Sequence, residues 1–112
     1  MKKINKKEKI LFWADGEDLP GFFTWDQAHK MIELLNSLNY HGFSDWRLPT
    51  KDELNLLYIN RAVVGGFASN FYWSSSEFSN NYAWLQNFLN GFQLYNYKYA
   101  TFYVRAVRDN KK

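Results

Sequence analysis

Residues 71–108 read FYWSSSEFSNNYAWLQNFLNGFQLYNYKYATFYVRAVR. Their aromatic content favours pleated backbone. They divide into strand-length segments over 71–75, 82–88, 92–97 and 102–108. Leu89-Asn90-Gly91 marks a hairpin, because Asn-Gly accepts positive φ at low cost. The middle of the run is too aromatic for a solvated loop and too rich in Asn for an ordinary core. Either it is a Tyr-rich antiparallel sheet that only packs, or it is a recognition surface. Aromatic rings give rigid contact area and Asn gives adaptable hydrogen bonds. Tyr95-Asn96-Tyr97-Lys98-Tyr99 has no clean apolar/polar alternation, so it assigns no face to a core. That favours the recognition surface.

Upstream, residues 9–14 read as a first strand, followed by turns at Asp15-Gly16-Glu17-Asp18 and Pro20-Gly21. The acids of the first turn lack the regular spacing of a calcium loop. Thr24-Trp25-Asp26-Gln27 is a capping box, and Asp26 in the first turn suits the helix dipole. Trp25, Ala28, Met31, Ile32, Leu35 and Leu38 then recur on one helical face until about Asn39. Neither His29 nor His41 has a second ligand at metal spacing. A second capping box, Thr50-Lys51-Asp52-Glu53, follows Pro49 and predicts a helix over 51–60 that buries Leu54, Leu57 and Tyr58. Residues 61–70 read as a loop. A strand, two capped helices and a run of strands make an α+β domain.

The 112 residues suffice for one domain with a small core. No cysteine is present, which removes disulfides, thiolate zinc and cysteine catalysis. The net charge of +3 belongs to the ends. Residues 1–9 hold five lysines and one glutamate, residues 110–112 hold two lysines, and the body between carries seven bases against ten acids, a charge of −3. Residues 1–9 are expected as a basic flexible tail, 10–108 as the domain and 109–112 as a C-terminal tail. No apolar run is long enough to span a membrane, and the short run over 10–14 is not a signal peptide. That points to the cytoplasm or a larger assembly rather than general secretion.

Several motifs then occur in a fixed order: Gly42-Phe43-Ser44-Asp45-Trp46-Arg47-Leu48-Pro49-Thr50, Asp52-Glu53-Leu54, Tyr72-Trp73-Ser74-Ser75-Ser76-Glu77, Ala83-Trp84 and Val104-Arg105-Ala106-Val107-Arg108. Over residues 10–108 the chain resembles the C-terminal domain family of collagen-like adhesins of the Lcl type. The resemblance implies a C-type-lectin-like fold, with two helices packed on short, mainly antiparallel strands. Trp46, Arg47, Trp73 and Trp84 would serve the core and buried polar anchoring. Formylglycine-generating enzymes share that fold but need reactive cysteines, so the absence of cysteine excludes their activity. The Glu-Pro-Asn pattern of calcium-dependent sugar binding is missing; Glu77, Asn80 and Asn81 are the only nearby candidates.

In character the segment over about 78–102 resembles variable proteins of diversity-generating retroelements. Ligand-facing codons there are often AAC, mutated at adenines. Phe78, Tyr82, Leu85, Leu89, Phe92, Leu94, Tyr95, Asn96, Tyr97, Tyr99, Ala100, Thr101 and Phe102 all lie within reach of such codons. Trp84, Gln86, Gln93 and Lys98 do not, and would be constant framework. The expectation is a non-enzymatic module with no cofactor or metal that presents these thirteen residues to a protein ligand. The alternative is a carbohydrate or glycosaminoglycan adhesin. Nucleic-acid binding by aromatics and Lys is disfavoured by the negative body. Ser74-Ser75-Ser76 reads as strand-end hydrogen bonding, not as a nucleophile.

Overall fold

A computed structural model describes residues 2–6 and 9–109, with side chains from Phe12 onward. Strands β1 (Lys2–Lys6) and β2 (Lys9–Ala14) lead to helix α1 (Trp25–Ser37) and a 3-10 turn (Tyr40–Gly42). Strand β3 (Trp46–Arg47), helix α2 (Lys51–Ile59) and the short helix α3 (Arg61–Val64) follow. Strands β4 (Phe71–Glu77), β5 (Tyr82–Asn87), β6 (Gln93–Tyr97) and β7 (Val107–Asp109) complete the chain. Two antiparallel sheets result, ordered β1-β2-β7-β3 and β4-β5-β6. The α+β class is as expected.

Both helix starts follow from local sequence. Thr24 Oγ1 accepts the Gln27 amide at 3.2 Å while Gln27 Oε1 accepts the Thr24 amide at 3.0 Å. Thr50 and Glu53 repeat the exchange at 3.2 and 2.9 Å. The second box is also tied to the sheet. Arg47 reaches the two Glu53 oxygens at 2.6 and 2.8 Å and Asp109 Oδ1 at 2.7 Å. One guanidinium thus joins β3, β7 and the start of α2, in the bidentate geometry that lysine cannot make.

Two apolar clusters fill the interior. Ala28, Ile32 and Leu35 of α1 pack with Trp46, Trp73, Ala83, Leu85 and Val104. Leu54 and Leu57 of α2 pack with Phe12, Tyr72, Phe88 and Val107. Buried indoles find backbone acceptors: Trp73 Nε1 donates to the Phe23 carbonyl at 2.8 Å and Trp46 Nε1 to the Tyr40 carbonyl at 2.9 Å. That is how a large ring with a polar edge enters a core at low cost.

Four expectations change. Residues 2–6, expected within a basic tail, pair with β2 as β1; residues 1, 7, 8 and 110–112 lie outside the described residues. The expected loop over 61–70 opens with α3. Strand β3 was not foreseen, since two residues carry no period. The expected strand over 102–108 is broken. Phe102 and Tyr103 make isolated bridges to Phe23 and Tyr72, and only β7 joins the other sheet. Between them, the Val104 and Ala106 carbonyls accept the Leu19 and Asp15 amides at 2.9 and 3.0 Å. The closing run therefore crosses from one sheet to the other.

Gly91 shows why the β5–β6 hairpin turns where it does. Its φ is +84°, and a Cβ there would lie 2.5 Å from the Tyr58 ring of α2. Glycine alone meets both conditions without strain.

Candidate ligand-binding face

The geometry of the β4–β6 sheet sorts its side chains by parity. Register pairs Tyr82 with Tyr97, Trp84 with Tyr95 and Gln86 with Gln93 on one face, and Ala83 with Asn96 and Leu85 with Leu94 on the other. Ala83 and Leu85 join the core, with Leu94 packed against them. The first face is divided. At one end α2 covers it: Gln86 Nε2 donates to Asn55 Oδ1 at 3.0 Å, and Gln93 Nε2 to the Lys51 carbonyl at 2.7 Å. The Lys51 ammonium lies 3.6 Å from the Trp84 ring centroid, a cation–π contact that marks the border.

Past Trp84 the face is aromatic. Phe78, from the turn between β4 and β5, lies flat on Tyr95 with centroids 3.9 Å apart and planes 2° from parallel. Trp84 meets Tyr95 edge-on at 5.3 Å, Tyr82 meets Tyr95 edge-on at 5.6 Å, and Tyr82 meets Tyr97 at 4.6 Å. Tyr97 stacks on Tyr99 at 4.8 Å. Six rings form one continuous series. Phe78, Tyr95 and Tyr97 remain about half exposed, and Tyr99 is 73% exposed. Ring pairs of this kind are worth about 0.5–1.5 kcal/mol beyond area burial, so they order the patch without hiding it. Hydrogen bonding to Tyr97, then desolvation and the neighbouring phenols, raises the Tyr82 pKa.

Beside the last rings lies an open groove of about 550 Å³, lined by Thr24, Asp26, Asn80, Asn81, Tyr97, Lys98 and Tyr99. Lys98 is held from several sides. Its ammonium bonds Glu77 at 2.7 Å and lies 4.4 Å from the Trp25 ring centroid, while its carbonyl accepts the Trp25 amide at 2.9 Å.

The thirteen expected residues therefore separate. Phe78, Tyr82, Tyr95, Tyr97 and Tyr99 come together. Leu89 and Phe92, 68% and 72% exposed, sit at the hairpin turn, the opposite end of β5–β6 from Tyr82 and Tyr97. Thr101 is exposed and Ala100 half-buried, its amide bonded to the Tyr97 carbonyl at 3.0 Å. Asn96 belongs to the inner face, and its Oδ1 accepts the Tyr97 amide at 2.7 Å. Leu85 is a correction: it is 1% exposed and belongs to the core. Leu94 packs on the same cluster, and Phe102 lies against the rings of Phe71 and Trp73.

Trp84, assigned from sequence to the core, instead stands among the exposed rings. Lys51 was missed as well. Counting strand pairs back from the Asn90-Gly91 turn would have placed Trp84 opposite Tyr95.

His29 sits behind this region on α1, edge-on to Trp25 at 4.3 Å, and its buried Nε2 has no hydrogen-bond partner among the described residues. Burial lowers its pKa, against Asp26, Glu33 and Glu77 and with Lys98. The folded state thus prefers neutral imidazole. Its contribution is whole above the unfolded value of about 6.5 and declines as pH falls below that. Urea midpoints measured at pH 7.5 and pH 5 should therefore differ more for the natural chain than for His29→Phe.

The Lcl C-terminal domain family model matches residues 3–108, and the chain belongs to that family. A search of curated proteins gives no match.

Proposed function

We propose that this Lcl C-terminal domain is a non-enzymatic binding module that presents the six-ring face to a protein ligand. In this reading the fold is C-type-lectin-like. The exposed positions are those at which side chains can be exchanged, as in variable proteins of diversity-generating retroelements. The observation that carries it is the division of labour within one sheet. Alternate residues of β5 and β6 either enter the core or stand in an uncovered aromatic series. Rigid rings with polar tips suit a surface that must grip at low entropic cost. A few of them would dominate affinity.

The test is joint replacement of Tyr95, Tyr97 and Tyr99 by Ser. Binders are first selected for the natural chain from a displayed library of folded proteins. The variant should unfold within about 2 kcal/mol of the natural chain, since it loses exposed ring contacts only. Its affinity for those binders should fall about 100-fold or more. Unchanged binding by a folded variant removes the face from the account.

A carbohydrate ligand is the second reading. The groove favours it, because Asp26, Asn80 and Asn81 line it together with Tyr97 and Tyr99. A glycan array separates the two: binding there that is lost with Tyr99→Ser supports the sugar, and an empty array supports the protein.

A further inference from the structure

We propose that the outer edge of β6 takes up an extended acidic peptide as a fourth strand. The proposal rests on the reading of the aromatic face as a binding surface and names the ligand chemistry that surface accepts. Strand β6 ends its sheet. The opposite edge, β4, is occupied: the Trp73 amide donates to the Tyr103 carbonyl and the Tyr103 amide to the Phe71 carbonyl, both at 3.0 Å.

The phase of the β5–β6 ladder says which backbone groups point outward. The Asn87 amide donates to the Phe92 carbonyl at 2.8 Å and the Lys98 amide to the Asn81 carbonyl at 2.9 Å. Alternation between these bonds turns Leu94 and Asn96 toward β5, and Gln93, Tyr95 and Tyr97 away from it. Tyr97 satisfies itself locally, its amide on Asn96 Oδ1 at 2.7 Å and its carbonyl on the Ala100 amide at 3.0 Å. The backbone groups of Gln93 and Tyr95 have no partner among the described residues. They offer two donors and two acceptors repeating at about 7 Å, the two-residue period of an extended polypeptide. Sugars have no such alternation.

Edge strands are ordinarily guarded by Lys, Pro or a bulge. The sequence of β6, QLYNY, has no charge and no Pro, and its register with β5 is unbroken, whereas the β4–β5 register shifts. Charge narrows the partner further. Glu77 neutralises Lys98, but Lys51 has no carboxylate partner among the described residues, and its carbonyl already holds Gln93. A carboxylate on the incoming strand near Gln93 would meet that ammonium, and apolar or aromatic side chains would lie over Trp84 and Tyr95.

The probe is a synthetic library of nine-residue peptides, each with at least one acidic residue, screened on the full chain. Selected peptides are remade with a methyl group on each backbone nitrogen in turn. Affinity should fall about tenfold or more at every second position and stay within about twofold at the others. Lys51→Gln should weaken acidic binders about three- to tenfold and leave their amide analogues unchanged. Tyr95→Ser removes the ring alone, whereas Tyr95→Pro also removes the edge amide at a position where an edge strand tolerates proline. The proline variant should bind about tenfold more weakly than the serine one. Absence of any peptide binder tighter than about 1 mM, or a methylation scan without the two-residue period, overturns strand addition. If displayed folded proteins still bind in a way that Tyr95, Tyr97 and Tyr99 control, the aromatic-face reading survives that result. Period-two peptide binding that persists in the triple serine variant supports the edge and sinks the face.

Discussion

Arg105→Met should lower the unfolding free energy by about 3–5 kcal/mol, read from urea denaturation. Arg105 has no exposed surface. Its Nε and Nη2 bond Asp18 Oδ1 at 2.9 and 2.7 Å, and its Nη1 bonds the Asp15 and Gly65 carbonyls, each at 3.0 Å. The guanidinium also lies 3.8 Å from the Phe67 ring centroid. Tyr72 Oη donates to the other Asp18 oxygen at 2.6 Å. Removing the cation strands a mostly buried carboxylate and two carbonyls, and that desolvation cost sets the size of the effect. Backbone crowding forbids an easy rescue. Gly66 has φ +76°, and a Cβ there would come 2.6 Å from the Gly16 carbonyl oxygen and 3.2 Å from Arg105 Nη2. Arg105→Lys should recover little, because an ammonium cannot reproduce the planar guanidinium's four bonds to three acceptors. A loss under about 1 kcal/mol would mean that this hub does not hold the loops between the two sheets.

Leu85→Ala should cost about 2–5 kcal/mol, against less than about 1 kcal/mol for Phe78→Ala. Both residues fall in the codon-accessible set, yet one is 1% and the other 51% exposed. Thermal unfolding of the two variants under one condition makes the comparison. Equal losses would mean that strand parity does not separate frame from surface.

That contrast shows what could be read from residues alone. Capping boxes need only four neighbouring residues, so α1 and α2 were legible, as was the Asn-Gly turn. Codon accessibility says nothing of where a side chain points. It therefore gathered Leu85, Leu94 and Phe102 with the true surface rings and passed over Trp84. Past Leu94 the alternation in β6 inverts: Tyr95 and Tyr97 face outward and Asn96 inward, where its amide oxygen serves the adjacent backbone. An apolar-in rule misreads such a strand. The sheet change over Val104–Arg105–Ala106 was invisible because β-propensity does not name a partner. Residues 2–6 read as a tail for a related reason, since a lysine-rich segment names no strand partner in its own sequence.

The central claim is that a rigid frame carries an exchangeable aromatic face. The direct measurement is a displayed library randomised at Phe78, Tyr82, Tyr95, Tyr97 and Tyr99, sorted first for protease resistance and then for binding to one arbitrary folded protein. The account predicts that most members resist protease like the parent and that selected binders converge on sequence at these five positions. Loss of resistance in most members, or binders whose preferences lie elsewhere, would contradict it.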